Sequence, residues 1–239
     1  MRVLNNIAFF WIGQDVTIPT LLCRSIRNVF GSRFNVYQLS DHLTPKVEGV
    51  THFKKMKLSP HIMVARLEAY AALDVTEPTL FLDADMLVLR PFDLPQLAEN
   101  EVGVTIRGAR DTLHFSEQYL EQYPEFANKD TAQVMPYIFS FVYVHSQLLF
   151  LRQLIALRKL PKRYHRWFGD QITLKNEIDS STRFTARYFD ITLYNRTVRS
   201  RGEFEEVIAS PQPVFLAHFK GPESKSVMFE ALSMISADN

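Results

Sequence analysis

Residues 79–86 read Thr79-Leu80-Phe81-Leu82-Asp83-Ala84-Asp85-Met86. A short apolar run that leads directly into polar residues is typical of a buried strand in a parallel sheet, and α/β proteins bind ligands at the carboxyl edge of such a sheet. With strand periodicity the two carboxylates face the same way, where they repel each other unless one is protonated or a divalent cation lies between them. The stretch therefore predicts a metal site, with a solvated turn after the strand as the alternative.

Predicted strands and helices alternate along the chain on both sides of this stretch. The predicted strands cover residues 4–13, 34–39, 79–82, 102–106, 137–144 and 214–218, with extended chain over 86–89. The predicted helices cover residues 19–30, 61–73, 147–157 and 170–177. This alternation predicts one α/β domain with a mostly parallel sheet. Residues 107–136, rich in Gln, Glu, Tyr and Asp, are predicted to form an insertion or a mobile loop.

The composition excludes several classes of protein. The chain has 239 residues, and its formal net charge of +1 gives no general attraction to nucleic acid, so no nucleic-acid partner is predicted. Cys23 is the single cysteine, which rules out an intramolecular disulfide and a cysteine-rich zinc site. No targeting signal is recognisable, and no window reaches the roughly 18 apolar residues of a spanning helix. We therefore predict a cytoplasmic protein.

Four segments, in order, resemble nucleotide-sugar glycosyltransferases of the GT-A fold, most of all glycosyltransferase family 8. They are the N-terminal strand and helix, the helical segment Arg66-Leu67-Glu68-Ala69-Tyr70, the D-x-D strand from Leu80 to Val88, and Ala217-His218-Phe219-Lys220-Gly221-Pro222-Glu223-Ser224-Lys225, which is similar to the family's H-F-x-G-x-x-K motif. The resemblance implies a GT-A-like α/β/α sandwich with a mixed, mostly parallel sheet. It also implies a single domain over residues 1–239, with a nucleotide-binding half about 1–105 and an acceptor half about 106–239.

The resemblance assigns roles to individual side chains. It implies a divalent metal, Mn²⁺ or Mg²⁺, held by Asp83, Asp85 and His218. It implies a donor-binding set made of Arg66, Asp83, Ser140, Gly221 and Lys225. Lys225 and the metal would stabilise the negative charge of the departing nucleoside diphosphate. Taken singly, His218 is more often a structural residue, Lys225 a solvated charge and Gly221 a turn residue.

A fifth segment, Trp167-Phe168-Gly169-Asp170-Gln171, resembles the family's D-Q motif. The resemblance implies Asp170 near the transferred sugar and Gln171 near the reacting centre, whereas an Asp at a helix start also serves as a cap, and both can hold together. One segment departs from the family: Phe139-Ser140-Phe141 stands where Asn-Ser-Gly is usual. Phe141 is expected to prevent a close approach of the backbone and so to reshape the sugar subsite.

The resemblance implies transfer of a sugar from a nucleotide-sugar donor, most plausibly a UDP-sugar, to a hydroxyl group with retention of configuration. The acceptor would be a glycan, a lipid-linked glycan or a protein. A basic cluster, residues 158–167, is either a solvated helix end or a contact with an anionic acceptor or a membrane surface, with Tyr164 and Trp167 as interfacial residues. The second interpretation would place the protein peripherally at the inner face of the membrane.

Three other classes share some of these features. Phosphatases of the haloacid dehalogenase type also begin with a strand that ends in D-x-D, but the Thr expected two residues later is missing, because Met86-Leu87 follows Asp85. Their later acidic pair is also incomplete here, since Leu174 stands where the second Asp is expected after Asp170. A non-catalytic nucleotide- or carbohydrate-binding module and a nucleotidyltransferase of related topology stay open as alternatives.

Overall fold

The computed structural model describes residues 6–180 and 182–237. Its strands are β1 (Asn6–Phe10), β2 (Asn35–Ser40), β3 (His52–Lys55), β4 (Thr79–Leu82), β5 (Met86–Val88), β6 (Glu101–Ile106), β7 (Tyr137–Val144), β8 (Thr185–Phe189), β9 (Arg196–Thr197) and β10 (Leu216–His218). Its helices are α1 (Thr17–Phe30), α2 (Ile62–Ala71), α3 (Glu117–Gln122), α4 (Thr131–Val134), α5 (Leu148–Lys159), α6 (Lys162–Arg166), α7 (Gly169–Asp179), α8 (Ile191–Tyr194), α9 (Arg201–Ala209) and α10 (Pro222–Ala237).

Seven strands form the main sheet in the order β3-β2-β1-β4-β7-β6-β8, and a small second sheet has the order β5-β10-β9. In the main sheet β7 runs antiparallel to both neighbours, and the other pairs are parallel. The predicted mixed, mostly parallel sheet is confirmed. The β4 strand lies near the middle of this sheet, which explains its apolar run, because a strand covered on both faces needs apolar side chains in both directions.

Helices cover both faces of the main sheet. On one face, α2, α5 and α7 bury an aromatic group in which Tyr70, Phe81 and Phe150 contact one another. On the other face, α1 packs Leu22 and Ile26 against the side chains of β1 that point away from this group. A third cluster joins the small sheet to α9 and α10. This arrangement is the predicted α/β/α sandwich.

The β7 strand contains a bulge next to the end of β4. Its register with β6 shifts between Val104, opposite Val142, and Thr105, opposite Ile138. A bulge inserts extra residues on one strand and turns side chains to new directions, and it occurs frequently beside active sites. The residues between Ile138 and Val142 are Phe139, Ser140 and Phe141, of which the two phenylalanines depart from the family pattern. The bulge, and not simple alternation, therefore decides which face of the sheet each of these side chains lies on.

Several elements were not expected from the sequence. The strands β3 and β8 lie at the two edges of the sheet and are largely exposed, so they lack the apolar run that identifies β4. Helix α9 buries only Phe204 and Val207 among its residues. Residues 107–136, predicted as an insertion or a mobile loop, form α3, α4 and two short 3₁₀ turns. Within this segment Phe115 and Phe126 pack against Phe168.

Candidate active site

The two aspartates of the central motif lie in a turn between β4 and β5. The backbone N–H of Asp83 donates to the carbonyl of Ser140 on β7 at 3.3 Å, and the carbonyl of Asp85 accepts from the N–H of Phe219 at 2.9 Å. The turn is therefore fixed to both sheets. Their shared direction comes from this turn and not from strand periodicity, because β4 ends at Leu82 and β5 begins at Met86. The predicted result holds, but the reason for it is different.

His218 joins the two aspartates at the end of β10. One ligand atom from each of Asp83, Asp85 and His218 can be chosen so that all three lie within 4.8 Å of one another. His218 Nε2 is 3.2 Å from Asp85 Oδ1. Two carboxylates and one imidazole suit a hard or borderline divalent cation such as Mg²⁺ or Mn²⁺. The structure thus brings together the three residues that the resemblance implies as ligands.

The ring of His218 is held by Asn195, a residue that the sequence analysis did not identify. Asn195 is fully buried, and its Nδ2 donates to Thr105 Oγ1 at 2.9 Å and to Ser140 Oγ at 3.0 Å. Since both donor bonds fix the amide, Asn195 Oδ1 faces His218 Nδ1 at 3.0 Å, so Nδ1 carries the proton. Ser140 Oγ also lies 3.1 Å from Nδ1. Nε2 then faces Asp85, where it donates to Oδ1 when it carries a proton and offers a lone pair to a metal when it does not.

This tautomer is a test of whether a metal fits. A lone pair on Nε2 and a carboxylate oxygen of Asp85 point into the same volume, and Asp83 adds a second carboxylate. Groups that all accept and do not donate repel one another unless a cation lies between them or a proton is added. A buried amide that orients a ligand histidine through its other nitrogen is the usual support of a metal site. The donor set fits a divalent metal.

Lys225 contributes a positive charge to the same cluster. Its ammonium contacts Asp85 Oδ2 and donates to the carbonyl of Phe219 at 2.6 Å. Burial alone would raise the pKa of Asp85, but His218 and Lys225 outweigh it and hold that pKa well below its usual range. Asp85 is therefore ionised at neutral pH. In this arrangement the lysine offers a cation to an anionic ligand at the same point where the metal ligands converge.

Arg66 and Asp170 form a buried pair beside Asp83. Arg66 Nη1 lies 2.9 Å from Asp170 Oδ2 and 3.4 Å from Asp83 Oδ1, and its guanidinium stacks over the ring of Phe139 at 5.5 Å. The side chain of Asp170 is only 2% exposed. Burial raises the pKa of Asp170, Arg66 opposes this effect, and Asp83 adds to it. Burial by itself would lower the pKa of Arg66, but the surrounding carboxylates raise it above its usual range.

Asp170 lies in the first turn of α7 and is not its N-cap, because Phe168 occupies that position. The helix begins at Gly169, one residue before the predicted start at Asp170, and Asp170 Oδ1 accepts from the backbone N–H of Gln171 at 2.8 Å. The side-chain oxygen of Gln171 accepts from Arg107 Nη2 at 2.7 Å. Arg107 is a second residue that the sequence analysis did not identify.

Gly169 allows α7 to approach α6 closely. A Cβ at this position would lie 2.2 Å from the carbonyl oxygen of Tyr164 and 2.4 Å from Leu157 Cδ1. We expect Gly169→Ala to lower the free energy of unfolding by about 3 kcal/mol, because backbone atoms must move to admit the methyl group. Denaturant titration measures this change. Gly202→Ala, on α9 with no atom within 4 Å of the added Cβ, is the matched control and should be neutral or stabilising. Equal stability of the two variants would contradict the close packing.

Most residues of the site line one cleft of about 310 Å³ at the carboxyl end of β4, and Lys225 lines a neighbouring one together with Arg66, Asp83 and Asp85. The cleft is lined by Met63, Arg66, Asp83, Asp85, Arg107, Ile138, Phe139, Ser140, Trp167, Phe168, Asp170, Gln171, His218, Lys220 and Gly221. Phe141 is not among them, because the bulge turns it to the opposite face, where it packs against Phe189 and Tyr194. The expectation that Phe141 obstructs the sugar subsite is wrong, and the aromatic ring in the cleft is that of Phe139. Gly221, at φ +83°, lines the cleft with a backbone conformation that suits glycine.

Two arginines of the basic cluster at residues 158–167 form ion pairs within the fold, while Lys159, Lys162 and Arg166 are exposed. Arg158 pairs with Glu68 at 2.7 Å, and Arg163 pairs with Glu125 at 2.8 Å. Tyr164 is buried and so does not serve as an interfacial residue. Trp167 is 49% exposed and lines the cleft. Across residues 6–180 and 182–237, no helix combines the length and the apolar character that crossing a bilayer requires.

The role of Asn195 can be measured through metal binding. We expect Asn195→Ala to weaken Mn²⁺ binding about 10–100-fold, because His218 loses the acceptor that fixes its tautomer. Titration calorimetry of the metal reports the affinity. Thr105→Val removes one of the two bonds that fix the amide but leaves Asn195 Oδ1 in place, so it should weaken Mn²⁺ binding less than Asn195→Ala does. Unchanged Mn²⁺ affinity in Asn195→Ala would show that the amide does not orient the ligand.

Comparison with known proteins identifies the fold. No protein-family profile and no curated protein matches the sequence. The structure is similar to the galactosyltransferase LgtC in complex with donor and acceptor sugar analogues, with a TM-score of 0.59 and 14% identity over 98% of this chain and 95% of that chain. It is also similar to the glycosyltransferase GlyE of Streptococcus pneumoniae TIGR4, with a TM-score of 0.58 and 13% identity over 98% of this chain and 63% of that chain. The chain therefore has the GT-A glycosyltransferase fold that its motifs predict.

Proposed function

We propose that this protein transfers a sugar from a nucleoside-diphosphate sugar, a UDP-sugar, to a hydroxyl group, with a divalent metal. The observation that carries the proposal is the convergence of Asp83, Asp85 and His218 at the carboxyl end of a central strand, inside a cleft of a GT-A fold. Lys225 reaches the same cluster from α10. The glycosyltransferases LgtC and GlyE, which share this fold, support the same reaction class.

Each residue has a task in this proposal. In the reaction the bond from the anomeric carbon to the diphosphate oxygen breaks, a bond to the acceptor oxygen forms, and the acceptor proton leaves with the diphosphate or to water. The metal, when bound, supplies positive charge to the departing diphosphate. Lys225 adds a donor for the same oxygens. Arg66 fixes Asp170 beside the sugar, and Gln171 lies next to the reacting centre.

We propose further that the anomeric configuration is retained. Asp170 is the carboxylate that precedes Gln171 in the cleft, and it is paired with Arg66 at 2.9 Å and buried, which leaves it poorly placed to act as a free nucleophile. Departure and attack on the same face of the sugar then describe the step. Nuclear magnetic resonance of the product anomer tests this part, and inversion would contradict it.

The experiment is the release of nucleoside diphosphate from a panel of UDP- and GDP-sugars, with Mn²⁺ and with chelator. Metal-dependent release from one donor supports the proposal and identifies the sugar. Donor binding without any turnover, including in the presence of acceptors, would favour a non-catalytic binding module. Release of phosphate from simple phosphomonoesters would favour a phosphatase, an interpretation that the GT-A fold already argues against.

A further inference from the structure

The cleft contains two cations that the proposed transfer does not use. Arg107 lies at the end of β6 and Lys220 follows β10, and both line the cleft together with Gln171. The other two cations at the site each have a close carboxylate partner. Arg66 pairs with Asp170, and Lys225 contacts Asp85.

Arg107 is bonded to neutral acceptors. Its Nε donates to the carbonyl of Met135 at 2.8 Å, its Nη1 to the carbonyl of Asp111 at 3.4 Å, and its Nη2 to Gln171 at 2.7 Å. A guanidinium has five N–H donors, so these three bonds leave one donor on each terminal nitrogen. Such a fork matches the two oxygens of a carboxylate or a phosphate. Within residues 6–180 and 182–237, no carboxylate lies at ion-pair distance from this guanidinium.

Lys220 lies near one buried carboxylate, that of Asp111. Its ammonium is 3.6 Å from Asp111 Oδ1, which is long for a hydrogen bond, and this oxygen already accepts from Thr197 at 2.6 Å. Asp111 is 8% exposed, whereas the side chain of Lys220 is 32% exposed, so the ammonium is accessible from the cleft. One carboxylate therefore faces two cations, and this end of the cleft has an excess of positive charge. A partly buried cation without a counterion is unfavourable until an anion binds.

We propose that the sugar or the acceptor bound beside Gln171 carries an anionic group, a carboxylate or a phosphate, and that Arg107 and Lys220 bind it. The proposal rests on the proposed glycosyl transfer and narrows its substrate class. The anion has two sources that share this chemistry: a uronate on the donor sugar, or a charged group on the acceptor. Lys220 occupies a variable position of the C-terminal motif, so nothing in the motif requires a cation there.

The test compares matched charged and neutral substrates with Mn²⁺ present. In the donor arm, UDP-glucuronate is compared with UDP-glucose and UDP-galacturonate with UDP-galactose. In the acceptor arm, methyl β-glucuronide and glucose 6-phosphate are compared with methyl β-glucoside, with a neutral donor. The readout is the ratio of kcat/KM for the charged substrate to that for its neutral match.

Lys220→Met is expected to lower this ratio about 10–100-fold, the usual effect of one charge-assisted hydrogen bond, and Lys220→Arg is expected to restore most of it. Lys159→Met, which removes an exposed lysine at the end of α5, is the control for net charge. Thermal unfolding and Mn²⁺ titration verify that each variant is folded. A charge preference in either arm that depends on Lys220 supports the inference and identifies the source of the anion.

Two results would overturn the inference while the proposed function stands. One is metal-dependent turnover with equal kcat/KM for charged and neutral substrates. The other is an equal loss of kcat/KM for every donor in Lys220→Met, which would mean that the lysine binds the diphosphate. Absence of metal-dependent turnover with every donor would instead contradict the proposed function, and the inference with it.

Discussion

Replacing Asp85 with asparagine is expected to reduce metal-dependent sugar transfer on the order of 10³-fold. Asp85 contacts both His218 and Lys225. His218 Nε2 lies 3.2 Å from its Oδ1, and the ammonium of Lys225 contacts its Oδ2. Asparagine keeps the size of the side chain but offers only a neutral oxygen. The substitution therefore removes the charge of a ligand and leaves the shape of the turn unchanged.

Two measurements separate this loss from general damage. Binding of Mn²⁺ stabilises only the folded state, so the metal should raise the Tm of the wild-type protein and not that of Asp85→Asn. Asp74→Asn, at an exposed aspartate after α2, is the matched control and should behave as wild type. Full turnover of Asp85→Asn would refute the metal site, whereas loss of turnover with an unchanged shift in Tm would move the role of Asp85 away from the metal.

The pKa of Asp85 gives this site a dependence on pH in the absence of metal. Since His218 and Lys225 hold the pKa of the folded state below its ordinary value, the ionised carboxylate contributes stability above the unfolded-state pKa. That contribution is lost as the pH falls through the lower folded-state pKa. In Asp85→Asn the corresponding part of acid unfolding should be missing.

The residues that could be predicted from sequence are those whose position follows from local chain order. The turn with Asp83 and Asp85 directly follows an apolar strand, and His218 is the last residue of another, so each motif contains both the element and the side chain it positions. The antiparallel pairing of β10 with β5, the strand that begins directly after Asp85, then brings these side chains together. The fold class was predictable for the same reason, because alternation of strands and helices is a property of the whole chain.

Asn195, Arg107 and Lys220 could not be predicted because their roles depend on contacts between distant segments. Asn195 precedes a strand of two residues and meets Ser140 from 55 positions away. Arg107 meets Gln171 from 64 positions away. Neither belongs to a pattern of spacing. The effect expected of Phe141 on the sugar subsite was wrong for a related reason, since one bulge in β7 exchanges the two faces of the strand and leaves no signal in the residue types.

Arg66→Met is expected to lower the free energy of unfolding by about 3–5 kcal/mol at pH 7, because it leaves Asp170 buried without a cation. The reverse change should cost less: in Asp170→Asn, Arg66 keeps Asp83 at 3.4 Å as a partner. The double variant gives the most specific result. Adding Asp170→Asn to Arg66→Met is expected to raise the free energy of unfolding by about 1–3 kcal/mol relative to Arg66→Met alone, because it removes a buried charge that no longer has a cation beside it. Denaturant titration of the four proteins completes this cycle.

The pH dependence of the cycle provides an independent measurement. Burial raises the pKa of Asp170 above its ordinary value of 3.8, and loss of Arg66 raises it further, because Arg66 is the group that lowers it. A carboxyl whose folded-state pKa exceeds the unfolded-state value destabilises the fold above the folded-state pKa and ceases to do so below the unfolded-state value. The deficit of Arg66→Met should therefore shrink as the pH falls from 7 toward 4, and it should do so less when Asp170→Asn is also present. A deficit that is the same at both pH values would mean that packing against Phe139, and not the buried charge, accounts for the contribution of Arg66.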